Sequence, residues 1–447
     1  MKKHLHLVQD LIAYNSFVAS NEYITPNVTL VRSDGHCEFN PYTGSPSGSE
    51  TGSSSGNGSG NNQHNYAMDY FTIIPQYTGS ISIYSVSNIS LEYSIDDAST
   101  WTTIYNEECS KLIDYIDVNN GDKVLFRGQI HPSAGDDSGS GSGDGSGSVT
   151  FSYPSLFSSY GDYNIEGNIM SLIYGDSFST YSDIDLNDVD GNGTIITFKN
   201  MFDSDIHLIN IENLSLPATT LAEYCYQYMF NGCRSLTNAP ILSATTLANS
   251  CYSSMFYGCT SLITTPTLAA TTLAECCYTC MFTNCTSLTT APALPATTLA
   301  NNCYSSMFYG CSSLTNAPIL SATTLADYCY SSMFRDCTSL TTAPVLPATT
   351  LASDCYNNMF YGCTSLTTTP VLPATTLASY CYYQMFYGCT SLNYIKCLAT
   401  DISATSCTNN WVYNVASSGT FVKDSNMTDW TTDINGIPSG WIVQDAL

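Results

Sequence analysis

From about residue 200 onward the apolar positions recur with a single period. The block Thr-Leu-Ala-x-x-Cys-Tyr-x-x-Met-Phe-x-x-Cys sets its first cysteine at Cys225, Cys251, Cys277, Cys303, Cys329, Cys355 and Cys381. Its second falls at Cys233, Cys259, Cys285, Cys311, Cys337, Cys363 and Cys389, again 26 residues apart each time. Within one repeat Leu351, Ala352, Cys355, Tyr356, Met359 and Phe360 follow an i, i+1, i+4, i+5, i+8, i+9 pattern, which predicts one face of an α-helix. Thr350 stands at the N-cap, and Thr220-Leu-Ala-Glu223 and Thr272-Leu-Ala-Glu275 complete capping boxes. Gly362 sits where a left-handed residue closes a helix, as do Gly232, Gly258, Gly310 and Gly388, with Asn284 and Asp336 as substitutes. Residues 340–347, Thr-rich and bounded by prolines, predict a short extended segment. A strand-turn-helix unit of 26 residues cannot bury its stripe alone, so the copies stack, about 4.8 Å apart along a strand ladder.

The ends of the repeat run are atypical, as a stack that stops exposing apolar surface requires. Cys407, Trp411 and Val412 read as a degenerate last coil, and Met201, Phe202, Leu208, Leu214 and Leu216 as a degenerate first one. The first half patterns differently. Phe71–Ile74, Ser80–Tyr84, Leu91–Ser94, Trp101–Tyr105 and Lys123–Arg127 are short strand-like runs at regular spacing. They predict a β-sandwich-like domain. The expected organisation is an attachment module over 1–43, with a hairpin about Asp34-Gly35, and a Gly/Ser linker over 44–64. The β-sandwich-like domain follows over 65–199 with a disordered loop at 134–148. The repeats occupy 200–400, as seven full copies plus the degenerate first coil, and a cap covers 401–447. The fold class so read is α+β.

The run Met359-Phe-Tyr-Gly-Cys-Thr-Ser-Leu366, followed by an x-x-x-Pro segment, resembles the BspA-like class of leucine-rich repeats. The resemblance covers roughly 200–412, and a repeat of 26 residues is slightly long for that class. Tyr93-Ser-Ile-Asp-Asp with Trp101, Gly121-Asp-Lys-Val-Leu-Phe-Arg-Gly128 and Gly167-Asn-Ile-Met-Ser-Leu-Ile-Tyr-Gly-Asp176 are similar to the β module that precedes such repeats in Bacteroidales and their phages. The resemblance implies binding and adhesion rather than catalysis, either on a bacterial surface or in a phage of gut Bacteroidales. The expectation is a phage virion component, of a tail or head fibre, that recognises a host. Its partners would be a host cell-surface glycan or protein and, through 1–43, other virion proteins. A homo-oligomer is compatible with that reading, although no heptads demand one. The alternative is a BspA-like bacterial cell-surface adhesin.

Composition narrows the field further. The chain of 447 residues has 11 Lys+Arg against 37 Asp+Glu, a net charge of −26. Such a balance disfavours nucleic acid and anionic membrane surfaces, both of which need cations to meet phosphate. No apolar run is long enough to span a bilayer. Lys2 and Lys3 open a stretch that His4, His6, Gln9 and Asp10 interrupt, so no secretory leader is expected and synthesis in the bacterial cytoplasm is. No nucleophile, phosphate-loop or metalloprotease motif is present, and all six histidines precede the seven full repeats. No catalytic residue is assigned.

Candidate binding chemistry lies on the repeat surface. Thr264, Thr290, Thr315, Asn316, Thr342 and Thr368 form rows of hydroxyls and amides suited to a neutral polar ligand such as a glycan. Tyr257, Tyr309, Tyr361 and Tyr387 add a row of aromatic anchors. The repeated cysteines read as a column of small buried hydrophobes rather than disulfides or metal ligands. Cys276 and Cys280, at i and i+4 in variable outward positions, share a face where a reactive or metal-binding thiol pair is conceivable. Asp188, Asp190 and Asn192 copy the opening of a calcium loop, but Lys199 stands where its bidentate Glu belongs. Calcium is therefore the only cofactor to consider.

Overall fold

The computed structural model describes residues 65, 68–84, 89–104, 112–130, 148–150, 157–191 and 193–446. These belong to the unit Gln63–Leu447, the second of two into which the chain divides. The expected attachment module, the linker, and most of the loop at 134–148 lie outside them. Strands β1 (Phe71–Pro75), β2 (Gly79–Tyr84), β3 (Ile89–Ser94), β4 (Thr102–Ile104), β5 (Leu112–Val118), β6 (Val124–Ile130), β7 (Ser148–Thr150), β8 (Phe157–Ser159) and β9 (Tyr163–Asn168) come first. A four-residue helix α1 (Ser171–Tyr174) and a 3-10 segment (Gly175–Thr180) follow. The strands β10 (Ile195–Thr197), β11 (Leu208–Leu216), β12 (Ile241–Leu242), β13 (Thr368–Leu372), β14 (Tyr394–Cys397), β15 (Thr420–Lys423) and β16 (Ile442–Asp445) complete the described elements.

The first half departs from a plain antiparallel sandwich. Its main sheet is mixed and seven-stranded, in the order β12-β11-β9-β1-β6-β3-β4. Strands β9, β1, β6, β3 and β4 pair antiparallel, but β9, β11 and β12 pair parallel. The sheet therefore runs from the first domain into the repeats without an edge. A separate antiparallel sheet, β5-β2-β8, contributes Phe157, whose ring packs on Phe126 and Tyr163 of the main sheet.

The repeats form a solenoid of about nine turns, and the helix expected in each is absent. The coil at 328–337 shows what replaces it. The N–H groups of Cys329, Ser331, Met333, Arg335 and Cys337 each donate to the carbonyl three residues back, closing consecutive β-turns. The intervening N–H groups of Tyr328, Tyr330, Ser332, Phe334 and Asp336 donate instead to Ser353, Cys355, Asn357, Met359 and Tyr361 of the next coil, at 2.7–3.0 Å. Every fourth residue is left-handed: Tyr328, Ser332 and Asp336 have φ of 58°, 55° and 58°. An α-helix turns about 100° per residue, so a strict four-residue period drifts by about 40° each cycle. Chained turns of four residues do not drift. The pairs Cys329-Tyr330 and Met333-Phe334, then Cys337, are all buried.

Three of the helix signals thereby acquire a different meaning. Thr350 and its equivalents cap nothing; Thr272, Thr298 and Thr324 instead make parallel bridges with one another. Glu223 and Glu275 do not reach back as capping boxes: Glu223 accepts from Asn249 of the next coil. Gly232, Gly258, Gly310, Gly362 and Gly388 are left-handed, but as the third of three such positions in a coil rather than as helix ends.

Stacking like on like builds the core. Phe202, Phe230, Phe256, Phe282, Phe308, Phe334, Phe360 and Phe386 stack with centroids 5.4–5.8 Å apart and planes within 9°. That is the offset geometry aromatic quadrupoles favour. A parallel column runs from Phe198 through Tyr226 to Tyr382, and both columns end on Trp411. Trp430 stacks on Trp411 at 5.5 Å, and the Trp411 Nε1–H donates to Gly436 O. The second cysteine of each repeat donates its thiol to a phenylalanine carbonyl one coil earlier: Cys311 to Phe282, Cys337 to Phe308, Cys363 to Phe334, at 3.0–3.1 Å.

The left-handed glycines separate two steric environments. A Cβ on Gly258 would come no nearer than 3.9 Å to its neighbours, but one on Gly362 would lie 2.1 Å from Asp336 Oδ1. Gly258→Ala should therefore cost only the left-handed penalty of about 1–2 kcal/mol. Gly362→Ala should cost more, and Asp336→Gly should return the double variant to the Gly258→Ala level. Urea denaturation of the four proteins measures this; equal losses for both single variants would refute the steric account.

Candidate functional site

The solenoid exposes two kinds of repeated row. On the strand side, Thr264, Thr290, Thr315, Asn316, Thr342 and Thr368 are all exposed. Parallel bridges bring Thr290, Asn316 and Thr342 into one register, and Thr368 of β13 pairs with Tyr394 of β14. Some of this polarity is used internally. The Thr264 hydroxyl accepts from Ala239 N–H at 3.1 Å, and Asn316 Nδ2 donates to Thr315 Oγ1 at 3.1 Å. Beside these rows stand aliphatic side chains that the sequence reading passed over: Ile319, Val345 and Val371 are 75%, 71% and 45% exposed. The signal was available, since each follows directly on the proline of its repeat and so occupies an outward position.

On the turn side the expected tyrosine row is only partly continuous. Tyr361 and Tyr387 stack at 4.6 Å with planes 2° apart, and Tyr387 continues onto Tyr413 at 4.6 Å. Tyr309 is joined to them through Arg335, whose guanidinium carbon lies 5.5 Å from the Tyr309 centroid and 4.2 Å from that of Tyr361. Tyr257 is not joined, because Thr283 occupies the coil between it and Tyr309. Arg335 and Tyr413 were missed; both hold the position that is Tyr in the neighbouring repeats. Stacking turns the faces of Tyr361 and Tyr387 toward each other, so these two present ring edges and hydroxyls to solvent.

The acidic loop engages its own backbone. Asp188 Oδ1 accepts from Gly193 N–H at 2.7 Å, and Asp190 Oδ2 from the Thr194 hydroxyl at 2.8 Å. Asn192 lies outside the described residues. Lys199, at the position of the missing Glu, lies over the Tyr224 ring at 5.3 Å. Among the described residues no three His, Cys, Asp or Glu side chains are grouped to hold a metal.

Cys276 and Cys280 both occupy left-handed positions, φ 54° and 56°, and both are half-buried, with thiols raised in pKa by desolvation. The column thiols and Cys397 of β14 are fully buried, and desolvation pushes Cys251, Cys311, Cys329 and Cys397 up to about 12.

In the first domain a polar cavity of about 340 Å³ is lined by Glu92, Arg127, Gln129, Tyr174 and Asp176. Its charges are mutually engaged. Arg127 binds Glu92 at 2.6 Å and Asp176 at 2.7 Å, and lies over Trp101 at 4.1 Å. The Tyr70 hydroxyl bonded to Asp176, with Arg127 beside it, holds that carboxyl low. Burial pushes Tyr174 up to about 12. Of the histidines only His207 is described; its ring sits 3.3 Å from Asp162. No helix among the described residues is long and apolar enough to cross a membrane.

A parallel ladder of turns with like-on-like columns and sparsely charged outer rows fits a leucine-rich-repeat scaffold. The model of the BspA type leucine rich repeat region matches residues 199–341, 275–385 and 330–432, in six copies that together span more than half of the chain. The protein belongs to this family, whose repeats serve in general as non-enzymatic binding scaffolds. No curated protein matches the chain.

Two outcomes follow from the thiols. Their ordinary pKa is near 9.0 and burial raises it, so the unfolded chain loses its thiol protons first. Stability should therefore be level through neutral pH and fall as pH rises above about 9, steeply toward 12. Thermal melts across that window test it, and a midpoint unchanged at high pH would contradict the buried thiols. Alkylation of the folded protein near pH 8, read by peptide mass spectrometry, should label Cys276 and then Cys280 while sparing the column cysteines.

Proposed function

We propose that this protein is a non-enzymatic component of a phage virion, in a tail or head fibre, whose solenoid surface recognises a host cell. The observation that carries the binding role is the exposed set of Thr, Asn and Tyr rows repeated from coil to coil on a rigid ladder. Between residues 217 and 399 the only charges are Glu223, Glu275, Asp327, Asp336 and Asp354 against Arg234, Arg335 and Lys396. A surface so nearly neutral binds through hydrogen bonds and apolar contact rather than long-range attraction. The virion assignment is supported by the resemblance of the domain order, a β module followed by BspA-type repeats. In this reading residues 1–43 attach to other virion proteins and the solenoid meets a glycan or protein of the host surface. A bacterial cell-surface adhesin has the same repeats and is the competing assignment.

Mass spectrometry of gradient-purified phage particles and of washed outer membranes from the source culture separates the two. Enrichment in particles is expected. Enrichment in membranes would sink the virion assignment in favour of the adhesin.

A further inference from the structure

The turn-side row differs from the rest of the solenoid surface in one respect: it contains a fixed cation. Arg335 has Tyr309 on one side of its guanidinium and Tyr361 on the other. Its Nε lies 3.6 Å from Asp336 Oδ2. Its two Nη groups form no hydrogen bond among the described residues, and the side chain is 33% exposed. A free surface arginine carries rotamer entropy that a ligand must quench. Here the flanking rings and Asp336 on the Nε side have already restricted it, and the forked Nη edge has no hydrogen-bond partner among the described residues. The hydroxyls of Tyr309, Tyr361, Tyr387 and Tyr413 likewise form no hydrogen bond among the described residues. Tyr413 is 42% exposed. The row thus presents one planar double donor flanked along the solenoid axis by neutral phenols, one per coil.

We propose that this row, with Arg335 at its centre, binds a linear glycan that carries a carboxylate, the acid seated on the guanidinium fork and the neighbouring sugar hydroxyls on the tyrosines. The inference rests on the reading of the protein as a binding protein and adds the site and the ligand class. A carboxylate matches the fork in two parallel hydrogen bonds, which a sugar hydroxyl cannot do and which a lysine cannot offer. The flanking positions supply hydrogen-bonding edges and no second cation. That fits a sparsely acidic polymer of hydroxyl-bearing units, with one acid every few residues. A densely charged polyanion would find a single cation, an adjacent Asp336 and a chain of net charge −26. Because Asp336 offsets the guanidinium, recognition is short-range and depends little on salt.

The test is calorimetric titration of the full-length protein with sialyllactose, a hyaluronan oligosaccharide and a gellan oligosaccharide, in which only one sugar in two to four carries a carboxylate, each beside its methyl-esterified counterpart. At least one acid should bind, its ester about tenfold or more weakly, with little change between low and high salt. Arg335→Lys keeps the charge and should lose about tenfold as well, whereas Arg234→Lys, in another row, should lose nothing. Thermal melts of each variant show that it is folded. Binding of acid and ester alike, or an Arg335→Lys protein as tight as the parent, overturns the site. So does failure of every acid to bind. Adsorption to host cells then tells the two readings apart. If the parent and Arg335→Lys adsorb equally, the binding-protein reading stands and this site falls; if neither they nor any glycan binds, both fall.

Discussion

Everything in this molecule depends on the hydrogen bond from each alternate backbone N–H to the next coil. In an α-helix a segment satisfies its own backbone. Here a single coil satisfies only half of its turn donors, and the rest have no partner until another coil arrives. A coil is therefore not a stable unit, and the register between coils is fixed residue by residue. Insertions are excluded from the laddered part, which keeps the period at 26 residues across seven copies. The ends need partners too. At one end β11 pairs with β9 of the first domain. At the other, Trp411 fills the space of a Met-Phe pair, Trp430 covers it, and the Trp441 indole donates to Ala416 O.

Strict register means that each side chain sits on its own copy, about 4.8 Å away. Apolar and aromatic columns gain from this; charged columns would repel themselves at every step. The composition obeys that constraint. At the position just before the first left-handed residue the coils read Glu223, Asn249, Glu275, Asn301, Asp327 and Ser353, so no two carboxylates are adjacent. The intervening amides and backbone make hydrogen bonds instead: Asn249 Nδ2 to Glu223, Glu275 N–H to Asn249 Oδ1, Asp327 N–H to Asn301 Oδ1. The Gly/Asn/Asp position obeys a steric version of the same rule, since Asn284 overhangs Gly310 and Asp336 overhangs Gly362. The low charge of the repeats is thus a consequence of stacking first, and the near-neutral binding face follows from it. Cysteine suits the column positions because it is small, apolar and still able to donate to a phenylalanine carbonyl.

The same register turns surface residues into rows. A tyrosine recurring at one position becomes a stack, and a single arginine replacing it becomes a clamped cation. The cost is borne by the backbone: Tyr224, Tyr328 and Tyr380 are held left-handed, a conformation that bulky residues rarely adopt. It persists because both neighbouring coils impose it.

The repeat, its period, the buried identities and the family were legible from the sequence. A column of Cys, Tyr, Met and Phe at fixed spacing announces a solenoid whatever the local backbone. The local backbone itself was misread. Apolar residues at i, i+1, i+4 and i+5 satisfy a helix over one cycle and a four-residue turn over many, and only the drift separates them. Nor could a single-segment pattern show that half of the N–H groups bond elsewhere. In the candidate site, the sequence placed Tyr309, Tyr361 and Tyr387 in one row. It took the tertiary structure to turn the faces of Tyr361 and Tyr387 toward each other, to leave Tyr257 apart and to set Arg335 between two rings. Periodicity fixes which residues meet, because register is a property of the chain; what they offer a ligand depends on which surfaces their neighbours have already covered.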